Sequence, residues 1–256
     1  MATIYTDDEI TKLREGGKRL ARILKEVAKS AVPGAHTKDL DALAEKLIRE
    51  GGDEPSLKGY KPQFAKRPYP STICISVNNE VVHGIPSEND WVLEDGDIVG
   101  LDLVITHQGL MTDSTITVGV GKVDAKGKKL IAATEEALMA GIKAARAGKY
   151  IGDIGKAVQK VGEKYGYGVV YELGGHGVGH HVHEKPYISN VAGDPGEKLV
   201  PGMVLAIEPM LNEGGSGEVR FLPDGYTVVT QDGSRSAHFE HTILITDGAP
   251  EILTKL

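Results

Sequence analysis

The chain has 256 residues, 40% of them apolar and 25% charged, enough to bury a sizeable core in a soluble globular fold. A net charge of −7, with no Lys/Arg block, argues against charge-driven nucleic-acid binding, and no apolar run reaches the ~18 residues of a membrane span. Cys74 is the one cysteine, so no internal disulfide framework exists; with no basic-then-apolar leader at the N-terminus, a reducing cytoplasm is expected.

Thr6-Asp7-Asp8-Glu9 reads as a capped helix start with acids in the first turn. Ile10, Leu13, Leu20, Ile23, Leu24 and Val27 follow at helical spacing, and Pro33-Gly34 stops the pattern. Thr37 reads as the cap of a second helix, through Leu40, Leu43, Leu47 and Ile48 to Gly51-Gly52. Between residues 72 and 117 the pattern turns β-branched, with strands expected at Ile73-Cys-Ile-Ser-Val, Asp97-Ile-Val and Ile116-Thr-Val. Helices are expected over 128–147 and 151–165, then strands near 169–171, 204–207, 225–230 and 241–246. Gly34-Ala-His-Thr-Lys-Asp-Leu and Gly148-Lys-Tyr-Ile-Gly-Asp-Ile align in Gly, Asp and the last aliphatic residue. A match this short also fits any helix-turn-helix. The helix–helix–sheet order nevertheless occurs twice, so one domain over 1–256 is expected, with two similar halves of about 1–120 and 121–256.

Asp102 lies in Val99-Gly-Leu-Asp-Leu-Val-Ile, where an unpaired carboxylate is costly and is normally offset by a partner or a metal. If Gln108-Gly109 are the two residues of a hairpin loop, Val104 faces Asp113, and Asp102 becomes the diagonal neighbour of Asp113 at roughly 7–8 Å. That spacing suits a shared cation. His176 sits among glycines in Leu173-Gly-Gly-His-Gly-Val-Gly, read as an irregular turn that bares an imidazole, the commonest metal ligand. Glu208 closes the apolar run Val204-Leu-Ala-Ile, and Glu240 stands at a strand edge in Ala237-His-Phe-Glu-His-Thr. Singly, Asp113 also reads as a turn residue and the two glutamates as exposed acids. As a set, four carboxylates and one imidazole form an oxygen-rich site suited to Mn, Fe, Co or Zn. The charge calls for two ions, and a dinuclear site can activate water for hydrolysis.

Asn79-Glu-Val-Val-His-Gly-Ile-Pro, Gly100-Leu-Asp with Asp113 beyond it, Gly175-His-Gly-Val-Gly, His183-Glu, Ile207-Glu-Pro-Met and Phe239-Glu-His-Thr together resemble type I methionine aminopeptidases over nearly the whole chain. The resemblance implies the α+β "pita-bread" fold, two pseudo-symmetric αβ halves with a central antiparallel sheet and helices outside. It implies two divalent metal ions, with Asp102 on one, His176 and Glu208 on the other, and Asp113 and Glu240 bridging both. It further implies removal of the initiator methionine before a small second residue by a metal-bridging hydroxide. Glu208 would move the proton, and His83 and His183 would contact the scissile amide. Tyr69, Cys74 and Tyr226 are implied at the methionine pocket. Relatives carry a shorter segment where this chain has Gly59-Tyr-Lys-Pro-Gln-Phe-Ala-Lys-Arg-Pro-Tyr-Pro, so Tyr60, Phe64 and Tyr69 compete for the pocket wall. Val182 stands where relatives often have Phe, and Tyr226 where some have Trp. His180 and His181 match no role and are taken as loop residues. The partners implied are nascent polypeptide N-termini, with a transient ribosome contact, for a monomer that binds neither membrane nor nucleic acid.

No long insertion separates Glu208 from Glu240 and no zinc-finger extension precedes the domain, as in the short bacterial form. A proline-specific relative of the same fold is the first alternative, although such enzymes carry a large extra N-terminal domain. A non-catalytic relative is the second, although such proteins lose metal ligands. Gly121 to Lys128 fails as a phosphate-binding loop, with Lys126 where Gly is needed and no Ser or Thr after Lys128.

Overall fold

The computed structural model describes residues 2–63 and 65–255. Helix α1 (Asp7–Ser30) starts at the expected cap: the Thr6 hydroxyl accepts from Glu9 N, and Glu9 Oε2 accepts from Thr6 N at 2.9 Å. Helix α2 (Thr37–Glu50) departs from expectation. Extended His36 holds the cap position, and Thr37 is the first helical residue. Its hydroxyl instead accepts from Trp91 N at 2.9 Å, tying the helix start to a distant segment.

Two-residue β1 (Glu54–Pro55), β2 (Cys74–Val77) and β3 (Glu80–Val82) follow, then the long hairpin of β4 (Ile98–His107) and β5 (Leu110–Gly119). Gln108 (φ 49°) and Gly109 (φ 81°) turn it, the two left-handed residues of a tight hairpin loop, and Val104 faces Asp113 as expected. Helix α3 (Ala125–Ala144) begins and ends three residues before the expected span, because Asp124 caps Gly127 N at 2.7 Å. Helix α4 spans Ile151–Tyr165 as expected. The remaining strands are β6 (Gly168–Val169), β7 (Gly174–Gly177), β8 (Glu184–Ser189), β9 (Val204–Ile207), β10 (Met210–Asn212), β11 (Val219–Phe221), β12 (Val228–Thr230), β13 (Ser236–His238), β14 (Glu240–Leu244) and β15 (Glu251–Ile252).

The two repeat segments make the same three backbone bonds. Gly34 N and Gly148 N donate to Leu93 O (2.7 Å) and Leu199 O (2.8 Å). Leu93 N and Leu199 N donate back to Ala35 O and Lys149 O, and Thr37 N and Ile151 N to Trp91 O and Glu197 O.

A nine-stranded antiparallel sheet runs β1-β4-β5-β14-β9-β7-β8, with β2 also on β4 and β15 also on β14. Its strands alternate. Leu101, Leu103 and Ile105 of β4 pack under Leu20, Leu24 and Ile48 of α1 and α2. Leu205 and Ile207 of β9 and Ile243 of β14 pack under Leu138, Ile142 and Ile154 of α3 and α4. Each such buried side chain contributes about 1.5–3 kcal/mol. The intervening residues of the same strands therefore face away from the helices. Two three-stranded sheets, β13-β10-β6 and β11-β12-β3, complete the fold among the described residues.

Candidate metal centre

Strand register gathers the five candidate ligands into two rows on the face opposite Leu101, Leu103, Leu205 and Ile243. Cys74 of β2 faces Asp102 of β4, Asp102 faces Thr115 of β5, and Thr115 faces Glu240 of β14. One residue pair over, His241 faces Ile207, so the Glu240 row runs on to Glu208, just past the end of β9. In the next row Val104 faces Asp113, Thr242 faces Ala206, and Ala206 faces His176. Thr242 closes this row with its side chain: its hydroxyl donates to Asp113 O at 2.7 Å and accepts from Asp113 N at 2.9 Å.

One sequence expectation needs correction. His176 is on strand β7, not on a turn, whereas Glu240 stands at the end of a strand as expected, heading β14 between β5 and β9. The glycines around His176 serve close packing. A Cβ on Gly175 would lie 2.2 Å from Ala206 O, and one on Gly177 2.3 Å from Lys185 O.

Asp113, His176 and Glu240 are buried and present ligand atoms within 4.8 Å of one another. His176 Nε2 is 3.3 Å from Glu208 Oε1 and 3.8 Å from Asp113 Oδ2, while its Nδ1 donates to Gly177 O at 2.9 Å. That bond fixes the tautomer and leaves Nε2 as a donor atom for a ligand. Thr115 donates to Glu240 Oε2 at 2.9 Å, whereas Glu240 Oε1 and Asp113 Oδ1 are buried without a hydrogen-bond partner. Burial first, and neighbouring carboxylates second, push the Asp113 and Glu240 carboxyls well above the usual range. Burial lifts Glu208 as well, and lifts Asp102 to about 6 against the pull of its hydrogen bonds.

All five line a small cavity of about 40 Å³ together with Cys74, His83 and His183. It opens on one side to a cleft of about 410 Å³ bordered by His83, His176, His183, Glu208, Lys185 and Tyr187. On the other side lies an apolar pocket of about 30 Å³ between Leu57, Tyr60, Pro62, Tyr69, Cys74 and Tyr226, with His83 and His183 at its rim. Every candidate site residue therefore lines one of three neighbouring cavities, which share His83 and His183 as walls. Tyr60 and Tyr69 both line the pocket, and Phe64 falls outside the described residues.

Burial depresses the imidazoles around the centre: His83 to about 4, His183 to about 3 and His238 to about 3. His183 lies 4.4 Å from His176, ring centre to ring centre, and its Nδ1 is 2.9 Å from the Tyr60 hydroxyl. His83, with φ 61°, is in a left-handed conformation that costs about 1–2 kcal/mol and must be held by its surroundings. Its ring is hydrogen-bonded to the Tyr226 backbone. Sequence reasoning missed His238, whose Nε2 is 3.7 Å from Glu208 Oε2, and Thr115. Both lie two residues from a ligand, the spacing that shares a strand face. His180, taken as a plain loop residue, stacks on Tyr5 at 5.0 Å and meets Glu9 Oε1 at 2.8 Å.

A model of metallopeptidase family M24 matches residues 11–247. The chain belongs to this family. Methionine aminopeptidases of Aquifex aeolicus and Bacillus subtilis are each 44% identical to it, the first over 99% of this chain and 98% of its own, the second over 100% of both. The crystal structure of methionine aminopeptidase from Thermotoga maritima matches at a TM-score of 0.93 and 43% identity, over 100% of each chain. A Xaa-Pro dipeptidase of Bacillus anthracis shares the fold alone, at a TM-score of 0.77 and 24% identity, and this chain spans 62% of it. The fold is the family's pita-bread α+β fold, two pseudo-symmetric halves around the central sheet. Membership implies a divalent metal, and the donors fit one: two orphaned carboxylate oxygens and a tautomer-fixed imidazole converge on one small cavity.

Proposed function

We propose that this protein is a methionine aminopeptidase that removes the N-terminal methionine from new polypeptides, preferring a small second residue. The observation that carries the reading is full-length similarity to methionine aminopeptidases, coupled with an apolar slot opening directly onto the ligand rows. An unbranched thioether suits a slot walled by tyrosines and leucine.

Asp102, Asp113, His176, Glu208 and Glu240 are assigned to two divalent ions, of Co, Mn, Fe or Zn. Asp113 and Glu240, on the central strands β5 and β14 between Asp102 on one side and His176 and Glu208 on the other, would be shared by the two ions, as the resemblance implies. When bound, the ions supply an activated water and polarise the scissile carbonyl. The protein's own groups orient the peptide. The side chain enters the slot beside Tyr69, Cys74 and Tyr226, and the chain leaves through the wide cleft. Glu208, bordering both the inner cavity and the cleft, takes a proton at its carboxylate and returns it to the leaving amine. With Tyr60 donating to His183 Nδ1, the His183 Nε2–H is left to donate to the reacting amide. The backbone bond from Tyr226 sets the ring of His83 for the same task.

Among the described residues no helix is long and apolar enough to cross a membrane. A cytoplasmic monomer fits the buried lone thiol of Cys74. The proposed halves are about 1–120 and 121–256, a division supported by the passage of the chain from β5 to α3 near that point. The deciding test compares Met-Ala-Ser with an Xaa-Pro peptide, before and after chelation and Mn or Co readdition. Metal-restored cleavage of Met-Ala-Ser is expected; preference for Xaa-Pro, or no metal-restored cleavage, overturns the reading.

A further inference from the structure

Residues 60–63 and 65–69 are pinched together at a neck, where Tyr69 N donates to Tyr60 O and Gly59 N to Tyr69 O, both at 2.8 Å. The neck carries two walls of the apolar slot, Tyr60 and Tyr69. Arg67, farther along the loop, is not among the slot residues. Its guanidinium grips the Glu88 carboxylate through both Nη atoms, with Nη2 to Oε2 at 2.6 Å, and Nη2 also donates to Asp224 O at 3.2 Å. In return the Tyr226 hydroxyl donates to Arg67 O. The guanidinium carbon lies 5.9 Å from the centre of the Tyr226 ring. Asp224 Oδ1 holds the turn by accepting from Tyr226 N (2.8 Å) and Thr227 N (2.9 Å). Tyr226 meets Tyr69 edge-on at 5.1 Å across the slot.

We propose that Arg67 is a specificity-positioning residue: its clamp on Glu88 and the 224–227 turn holds Tyr226 against Tyr69 at the spacing that admits an unbranched side chain. This rests on the reading of the slot as the methionine site. At about 30 Å³ the slot has room for two or three waters. An entering side chain must therefore part the walls. Tyr69 is anchored in the interior, with its hydroxyl donating to Gly84 O at 2.7 Å. The Tyr226 hydroxyl ends on a surface loop, at the carbonyl of Arg67 itself. Tyr226 is thus the wall that yields, and Arg67 is its stop. The Arg67 and Glu88 side chains are 41% and 38% exposed, so the pair adds little to stability and its effect falls on the slot.

The test uses Mn-loaded wild type, Arg67→Ala and Glu88→Gln on Met-Ala-Ser and Leu-Ala-Ser, with metal content and thermal midpoints measured alongside. Both variants should raise KM for Met-Ala-Ser about five-fold with kcat within about two-fold, and should shift the Leu/Met ratio of kcat/KM about five-fold toward Leu. Metal content and midpoint should stay at wild-type values. Calorimetric binding of free L-methionine and L-leucine should show the same shift without turnover. Arg67→Lys should recover part of it, a point charge replacing a fork. Wild type that cleaves Met-Ala-Ser, with variants whose Leu/Met ratio and methionine affinity are unchanged, overturns the clamp alone. A loss in kcat that tracks lost metal also overturns it. Wild type inactive on Met-Ala-Ser overturns the functional reading and the clamp with it.

Discussion

Glu240→Gln separates what the centre does for catalysis from what it costs the fold. Ligand atoms of Asp113 and Glu240 lie within 4.8 Å, so without metal the pair must either hold two like charges, which repel by up to about 3.5 kcal/mol at an effective dielectric constant near 20, or take up a proton that the unfolded chain would not bind. The amide removes both costs. Its carbonyl can still accept the bond that Thr115 now gives to Glu240 Oε2, and its NH₂ can donate to the unpartnered Asp113 Oδ1. Metal-free variant should therefore be more stable than metal-free wild type by about 1–3 kcal/mol, a rise in Tm of about 3–8 °C for a chain of this size. Saturating metal should reverse the order. Wild type gains about 4 kcal/mol at a thousand-fold excess over Kd, and the variant, short of a bridging ligand, gains little. Calorimetry in chelator and in saturating Mn, with metal analysis and a Met-peptide assay, reads all of this. A variant less stable than wild type in chelator, yet with full metal content and normal turnover, would refute both the repulsion and the bridging role.

Three further substitutions probe other parts of the design. His183→Gln should keep both ions by elemental analysis and lower kcat by about a hundred-fold, the usual loss when a positioned proton donor goes. Gly175→Ala places a Cβ 2.2 Å from Ala206 O, opens the β7–β9 pairing, and should cost roughly 3 kcal/mol or more in urea unfolding with loss of metal at neighbouring His176. Thr6→Ala removes the α1 capping box and should cost about 1 kcal/mol in the same assay while leaving kcat/KM unchanged.

The sequence was most legible where one local signal settled the geometry. The Gln108-Gly109 turn set the β4–β5 register, and with it the diagonal Asp102–Asp113 pair. The cap at Thr6 placed the start of α1 to the residue and its apolar stripe gave the buried face, although the helix ends at Ser30, before the expected stop at Pro33-Gly34. Legibility failed where long-range contacts decide. Nothing near Thr37 announces that its hydroxyl is taken by Trp91 N, 54 positions on, and the glycines flanking His176 look like a turn until Ala206 O and Lys185 O press against them. The short strands β10, β11 and β13 escaped notice because three-residue segments carry no readable period, whereas β12 fell inside the strand expected near 225–230.

The seam between the halves shows why the ligands had to be read as a set. Strands β5 and β14 meet there through side chains as much as backbone: Ser114 Oγ donates to Glu240 O at 2.9 Å, Thr117 Oγ1 to His238 O at 2.7 Å, and Thr242 spans both backbone groups of Asp113. Hydroxyls stand in for ladder bonds at the point where Asp113 comes from one half and Glu240 from the other. Neither half holds a closed donor set. Asp102 and Asp113 belong to a hairpin of the first half, and His176, Glu208 and Glu240 to three segments of the second, a division no local pattern could disclose. Under the proposed assignment, carboxylates from both sides of the seam would hold metal together, adding to the hydroxyl bonds that already join the halves. That is a physical reason for a chain whose repeat is so faint in sequence, seven residues with three matches, to keep its halves in register.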